Sequence, residues 1–148
     1  MDELAVWSEF SAIAQAVGAR GCTADQLELV RLVHGVTTLP PHYEAFLSTM
    51  GVDQGKIFVD DGVRIMELRD ALQVAETLCE ESGVPLPAGS LVIGSREGYQ
   101  FLFIAPDSGE VFCWTEWDNP EGYLILHVAD SIAALVREEF DRFLAGSA

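Results

Sequence analysis

The sequence predicts an α+β domain: a single mixed, largely antiparallel sheet of about five or six strands with about four to five helices packed around it. Three observations carry this. Between Ser90 and Trp117 the side chains suit a pleated sheet rather than a helix, with apolar groups on both faces of the run Phe101-Leu102-Phe103-Ile104. On either side of that stretch, apolar residues recur at helical spacing in segments closed by glycine or proline. The chain is 148 residues long, the size of one domain, and a domain of that length buries roughly 70% of the surface its unfolded form exposes without a covalent staple. The expected layout is therefore one domain over 1–148, in which 1–22 is an N-terminal helical extension and 23–145 is the core.

The first helix is expected from Asp2 to Val17. Leu4, Trp7, Ile13, Ala14 and Val17 keep helical spacing, and Asp2, Glu3 and Glu9 sit where the positive end of the helix dipole favours them. Thr23-Ala24-Asp25-Gln26 fits a capping box for a second helix carrying Leu27, Val30 and Val33 or His34 on one face and ending at Gly35. His34 in its last turn reads as a capping or packing histidine rather than a ligand, since a cation suits that terminus. Leu39-Pro40-Pro41-His42-Tyr43-Glu44-Ala45-Phe46-Leu47 announces a third, with proline in the first turn and Tyr43, Phe46, Leu47 and Met50 at i, i+3, i+4 and i+7. Lys56 to Val59 and Val63 to Met66 read as short strands bracketing the turn Asp60-Asp61-Gly62. The two carboxylates of that turn lack the further oxygen ligands a hard cation needs, so they read as a solvated turn.

A helix from Glu67 to Ser82 follows, with Leu68, Leu72, Ala75, Leu78 and Cys79 inward and Glu76, Glu80 and Glu81 outward, stopped by Gly83, Pro85 and Pro87. It is placed to cover one sheet face. The strands proper are Leu91 to Ile93, Tyr99 to Ile104 in the centre of the sheet, Val111 to Trp117 and Tyr123 to Val128. Pro106-Asp107-Ser108-Gly109 supplies turn chemistry for a hairpin between the second and third of these. Asp130 or Ser131 caps a last helix whose inward face is Ile132, Leu135, Val136, Phe140, Phe143 and Leu144.

Composition narrows the function. Hydrophobic residues make up 49% and mean hydropathy is +0.22, so the chain builds a core rather than an acidic tail. With 24 acidic residues against 8 basic ones the net charge is −16, which repels phosphate and steers a basic partner inward; solubility alone also accounts for such a charge. Nucleic-acid binding is not expected. Cys22, Cys79 and Cys113 are odd in number and lack a CxxC, and only His34, His42 and His127 offer imidazoles, so reduced thiols and no metal or cofactor are expected. The acidic start Met1-Asp2-Glu3-Leu4 is unlike a signal peptide and no apolar run approaches the ~18 residues of a membrane span, which makes the cytoplasm the expected location.

The order of these motifs resembles the SMI1/KNR4 (SUKH) superfamily. Leu39-Pro40 through Phe46-Leu47, with Gly51 after it, is similar to the family's LPxxYxxFL signature. A prolyl lead-in, a short strand, an aromatic hairpin ending in Val111-Phe112-Cys113-Trp114 and a closing helix after Ala129-Asp130-Ser131-Ile132 agree with it, so that the resemblance runs from about Thr23 to Leu144. Met50-Gly51-Val52 stands where the family often has Asn-Gly-Gly. The resemblance implies a non-catalytic binding module, most often a bacterial immunity protein that neutralises a cognate toxin, many such toxins being nucleases. It also implies an alternative, a regulatory or scaffold module with no toxin partner.

A basic toxin domain would meet the candidate partner-binding residues Glu97, Asp107, Glu110, Glu116, Trp117, Asp118 and Glu121, which cluster in sequence around Trp114 and Tyr123. Strict alternation would put Trp114 and Trp117 on opposite sides of a regular strand. A small hydrolase is a third reading. Its serine candidate, in Gly94-Ser95-Arg96-Glu97-Gly98, lacks the GxSxG spacing, and Cys113 with His127 is the remaining pair from which a dyad could be built.

Overall fold

The computed structural model describes residues 3–58, 62–106 and 108–146. Among them it is an α+β protein with five α-helices and one antiparallel sheet of four strands. The helices are α1 (Val6–Ala16), α2 (Ala24–His34), α3 (Pro41–Met50), α4 (Leu68–Ser82) and α5 (Ile132–Gly146); the strands are β1 (Leu91–Arg96), β2 (Gln100–Ile104), β3 (Val111–Glu116) and β4 (Tyr123–Ala129). Two compact units result, one of α1, α2, α3 and α5, the other of α4 and the sheet.

In the helical unit, α1 is held by rings and by one ion pair. Trp7 Nε1 donates to His42 Nδ1 at 3.0 Å, and Phe10 meets Phe140 edge-on at 5.4 Å. Arg137 lies 4.9 Å from the Phe10 ring centroid and grips both carboxylate oxygens of Glu9 at 2.8 and 3.1 Å, so α5 closes on α1. The capping box of α2 forms as the sequence suggests: Gln26 N–H donates to Thr23 Oγ1 and Thr23 N–H to Gln26 Oε1. At the other end of α2, Gly35 in the left-handed region returns the Gly35 and Val36 amides to the carbonyls of Leu32 and Arg31. Those carbonyls need no imidazole.

His34 accordingly takes the packing role instead of the capping one, its ring edge-on to Tyr43 at 5.8 Å, and burial holds it down to about 4, neutral at pH 7. The unfolded chain takes up this proton near the ordinary value of 6.5 while the folded chain does not, so stability falls as pH drops through that window toward 4. In urea melts at stepped pH, His34→Gln should flatten this fall by on the order of 1 kcal/mol, the full linkage being discounted for partial exposure. Parallel curves for the two proteins would refute the assignment.

Two expected strands are not strands. Ile57, Phe58 and Val63 are buried, but Phe58 has φ 55, a left-handed turn of the backbone, and its amide donates to Glu139 Oε2. Beyond it, among the described residues, Gly62 makes an isolated bridge to Ser95 before the chain coils into a 3-10 turn at Ile65–Glu67. The apolar run records burial rather than extension, which periodicity does not separate over four residues. Val59, Asp60 and Asp61 lie outside the described residues. A smaller correction concerns Leu144, which is 51% exposed because the last turn of α5 runs past its buried face.

The sheet follows chain order, β1-β2-β3-β4, each neighbour antiparallel. β2 is an inner strand and Phe101 to Ile104 are all buried, as a run apolar on both faces requires. Phe101 faces Trp114 and Phe103 faces Phe112 across β2 and β3. Their rings form two stacked pairs, joined by a tilted Phe101–Phe103 contact, on the face that α4 covers with Ala71, Ala75 and Leu78. β4 is an outer strand of the sheet and leaves Ile125 and Leu126 exposed.

Candidate functional site

Trp114 is the floor of the site. It is 1% exposed, stacked on Phe101 at 5.5 Å and on Tyr123 at 5.0 Å with ring planes 13° and 4° apart. Above it opens a groove of about 490 Å³ between the C-terminal turn of α4 and the β3–β4 loop. Leu78, Glu81 and Ser82 line it from α4, Tyr99 from the β1–β2 turn, Glu116 from the end of β3, and Trp117, Asp118, Glu121 and Gly122 from the loop. With Trp114, four of these ten residues carry carboxylates and none is a lysine, arginine or histidine. The negative field is therefore concentrated between low-dielectric ring walls.

Local sequence explains the loop. β3 ends at Glu116, so alternation no longer governs Trp117, which bends back to line the same groove as Trp114 while staying 58% exposed. Asn119 braces the turn: its side-chain oxygen accepts from Gly122 N–H at 2.7 Å and its side-chain nitrogen donates to the Tyr123 carbonyl at 3.2 Å. Trp117 N–H donates to the Gly122 carbonyl, and Gly122 takes φ 84, which only glycine adopts freely. A rigid loop thus presents an exposed indole beside three carboxylates.

Of the candidate partner-binding residues, Glu116, Trp117, Asp118 and Glu121 come together here. Glu97 stands beside it, accepting a hydrogen bond from the Tyr99 hydroxyl; that bond and the carboxylate's charge raise the phenol above its ordinary range. Glu110 is elsewhere, within 3.1 Å of His127 Nε2. Asp107 lies outside the described residues. Sequence reasoning missed Leu78, Glu81, Ser82 and Tyr99 as groove residues. Glu81 was legible only as an outward residue of a covering helix, and no local signal tells which end of that helix overhangs the loop.

The dyad of the hydrolase reading does not form. Cys113 pairs in register with Leu126, whereas His127 pairs with Phe112 and packs its ring edge-on to it at 5.5 Å. Neighbouring strand residues face opposite sides of the sheet, so thiol and imidazole are separated by the sheet itself. None of the three cysteines is in a disulfide, and burial pushes the Cys22 thiol up to about 11 and raises Cys79, away from a reactive thiolate.

Among the described residues no helix is long and apolar enough to cross a membrane. No curated protein matches the chain. Residues 21–138 match the model of the SMI1 / KNR4 family (SUKH-1), a span that takes in α2, the Leu39-Pro40 entry to α3, α4, the whole sheet and the first turns of α5. With four fifths of its length matched and the motifs placed on those elements, the chain belongs to the SMI1/KNR4 family (SUKH-1).

Proposed function

We propose that the protein is a non-catalytic immunity protein of the bacterial cytoplasm, which neutralises a cognate toxin by seating a basic side chain or loop of that toxin in the groove over Trp114. The observation that carries this reading is the composition of the groove: Glu81, Glu116, Asp118 and Glu121 around Trp114, Trp117 and Tyr99, with no lysine, arginine or histidine in its lining. Rings supply flat apolar area and a cation–π face, and carboxylates supply charge-assisted hydrogen bonds, so a guanidinium or ammonium satisfies both at once. A nuclease is the toxin class that fits best. Its phosphate-binding surface is basic of necessity, and an acidic inhibitor occupying it gains both association rate and complementarity.

The test takes the products of the neighbouring genes and carries forward one that is toxic and basic. Reversing Glu116 and Asp118 to lysine should slow association about tenfold or more and reduce its salt dependence. The same reversal at Glu76 and Glu80, which are exposed on α4 but outside the groove, changes net charge equally and should do far less. Equal losses from the two pairs would assign recognition to bulk charge. Failure of the wild-type protein to bind or protect against that toxin would favour a regulatory or scaffold role.

A further inference from the structure

At the opposite end of β4 from the groove, three side chains from three successive segments converge. His127 Nε2 lies 3.1 Å from Glu110 Oε2 and 3.1 Å from Asp130 Oδ1, and all three atoms are within 4.8 Å of one another. Glu110 immediately precedes β3, His127 is in β4 and Asp130 is in the turn before α5. We infer that Glu110, His127 and Asp130 form a binding site for a divalent transition-metal ion of the zinc class.

Backbone geometry built this convergence. In a regular strand His127 and Asp130, three residues apart, would face opposite sides. The β3–β4 register instead shifts between Val111 and Phe112: Val111 pairs with Ala129 but Phe112 with His127, so Val128 is an extra residue on β4. Such a bulge re-aims the side chains beyond it, and here it turns Asp130 back toward the imidazole. Glu110 is fixed from its own side, its carbonyl accepting from Ala105 N–H at 2.9 Å and its N–H donating to Ser108 Oγ at 3.2 Å. Phe112 sets the plane of the imidazole by its edge-on contact at 5.5 Å.

Hydrogen bonding alone satisfies this arrangement poorly. One imidazole nitrogen carries at most one hydrogen, yet two carboxylate oxygens approach it at the same distance. A cation at the centre would meet one lone pair from each of the three atoms. Ligands of a zinc ion at ~2.0–2.1 Å are about 3.3 Å apart in tetrahedral and about 2.9 Å apart in octahedral geometry, and both observed 3.1 Å spacings fall between these values. One nitrogen and two oxygens favour a borderline ion such as Zn²⁺ or Co²⁺ over Mg²⁺ or Ca²⁺, which prefer all-oxygen sets. Two carboxylates balance its charge, and the −16 of the whole chain raises the local concentration of cations. Asp130 is 90% exposed on its side chain, so at least one coordination position faces solvent.

The test titrates the metal-free full chain with Zn²⁺ by calorimetry and with Co²⁺ by visible absorption. One equivalent should bind, and Co²⁺ should develop d–d bands of a low-coordinate site. His127→Ala should weaken binding at least about 100-fold, more than a lost second-shell partner costs. Should that variant unfold, Glu110→Gln with Asp130→Asn decides the matter, since both changes keep side-chain shape at half-buried and exposed positions. Cys22→Ser and His34→Gln should leave affinity unchanged within about twofold. Absence of saturable binding below about millimolar, or wild-type affinity in the His127→Ala or the double variant, would overturn the assignment.

Discussion

Replacing Trp114 with alanine should cost about 3–5 kcal/mol, a large part of the stability a domain of this size possesses. The side chain is fully buried and joins two stacks, Phe101 on one side and Tyr123 on the other, with Leu78 of α4 in the same cluster. Truncation leaves a void walled by rings on two sheet strands and one helix, and none of these can close it without breaking the β2–β3–β4 register. Guanidinium melts followed by circular dichroism measure the loss. Trp117→Ala is the matched control: the same atoms are removed from a half-exposed position, and stability should fall by less than about 1 kcal/mol while partner binding suffers. Similar losses for the two indoles would mean that Trp114 is not the keystone of the sheet unit.

Gly55→Ala should be nearly as damaging, in the helical unit. Gly55 holds φ 66, and a methyl group there would run into the carbonyl oxygen of Val17, with Ala19 N 3.0 Å away. That same carbonyl accepts the Lys56 N–H at 3.1 Å, and beside it Asp53 and Arg20 bridge backbone to backbone. Left-handed strain and displaced hydrogen bonds together amount to about 2–4 kcal/mol. Gly18→Ala isolates the first contribution, because Gly18 has φ 81 with open space around its α-carbon. It should cost about 1–2 kcal/mol. If the two variants melted alike, the close approach to Val17 would be of no consequence.

Much of this architecture was legible because local chemistry and tertiary position agree. Thr23 and Gln26 make their capping box from adjacent backbone, Pro41 enters α3 in its first turn, and Phe101 to Ile104 are apolar on both faces because the strand is internal. Where position is decided at a distance, residues mislead. Ile57 and Phe58 look extended because they are apolar, yet the turn that buries them is set by Val17 and Glu139, 39 and 81 positions away in the respective bonds to Lys56 and Phe58. His34 reads as capping or packing, and only Gly35, which takes the capping role, decides between the two. The groove lies between these cases. The loop from Glu116 to Glu121 is one stretch of sequence and was readable, whereas Glu81 and Tyr99 reach it only through packing. The cluster at His127 was hidden by a one-residue bulge, which reverses the facing that alternation assigns.

The outer position of β4 bears on how this protein behaves among its own copies. A seven-residue strand with exposed Ile125 and Leu126 and, among the described residues, no strand paired along its outer side is the template on which sheets add to one another. Asp118 and Glu121 flank one end of it, Glu110 and Asp130 the other, so two copies approaching edge to edge bring like charges into register before any ladder bond can form. Ionisation thus guards the edge. Such a guard is conditional. It is strongest at neutral pH and low salt, and it fades as acidity nears the isoelectric point of about 4.2, where the repulsion vanishes and the apolar edge remains.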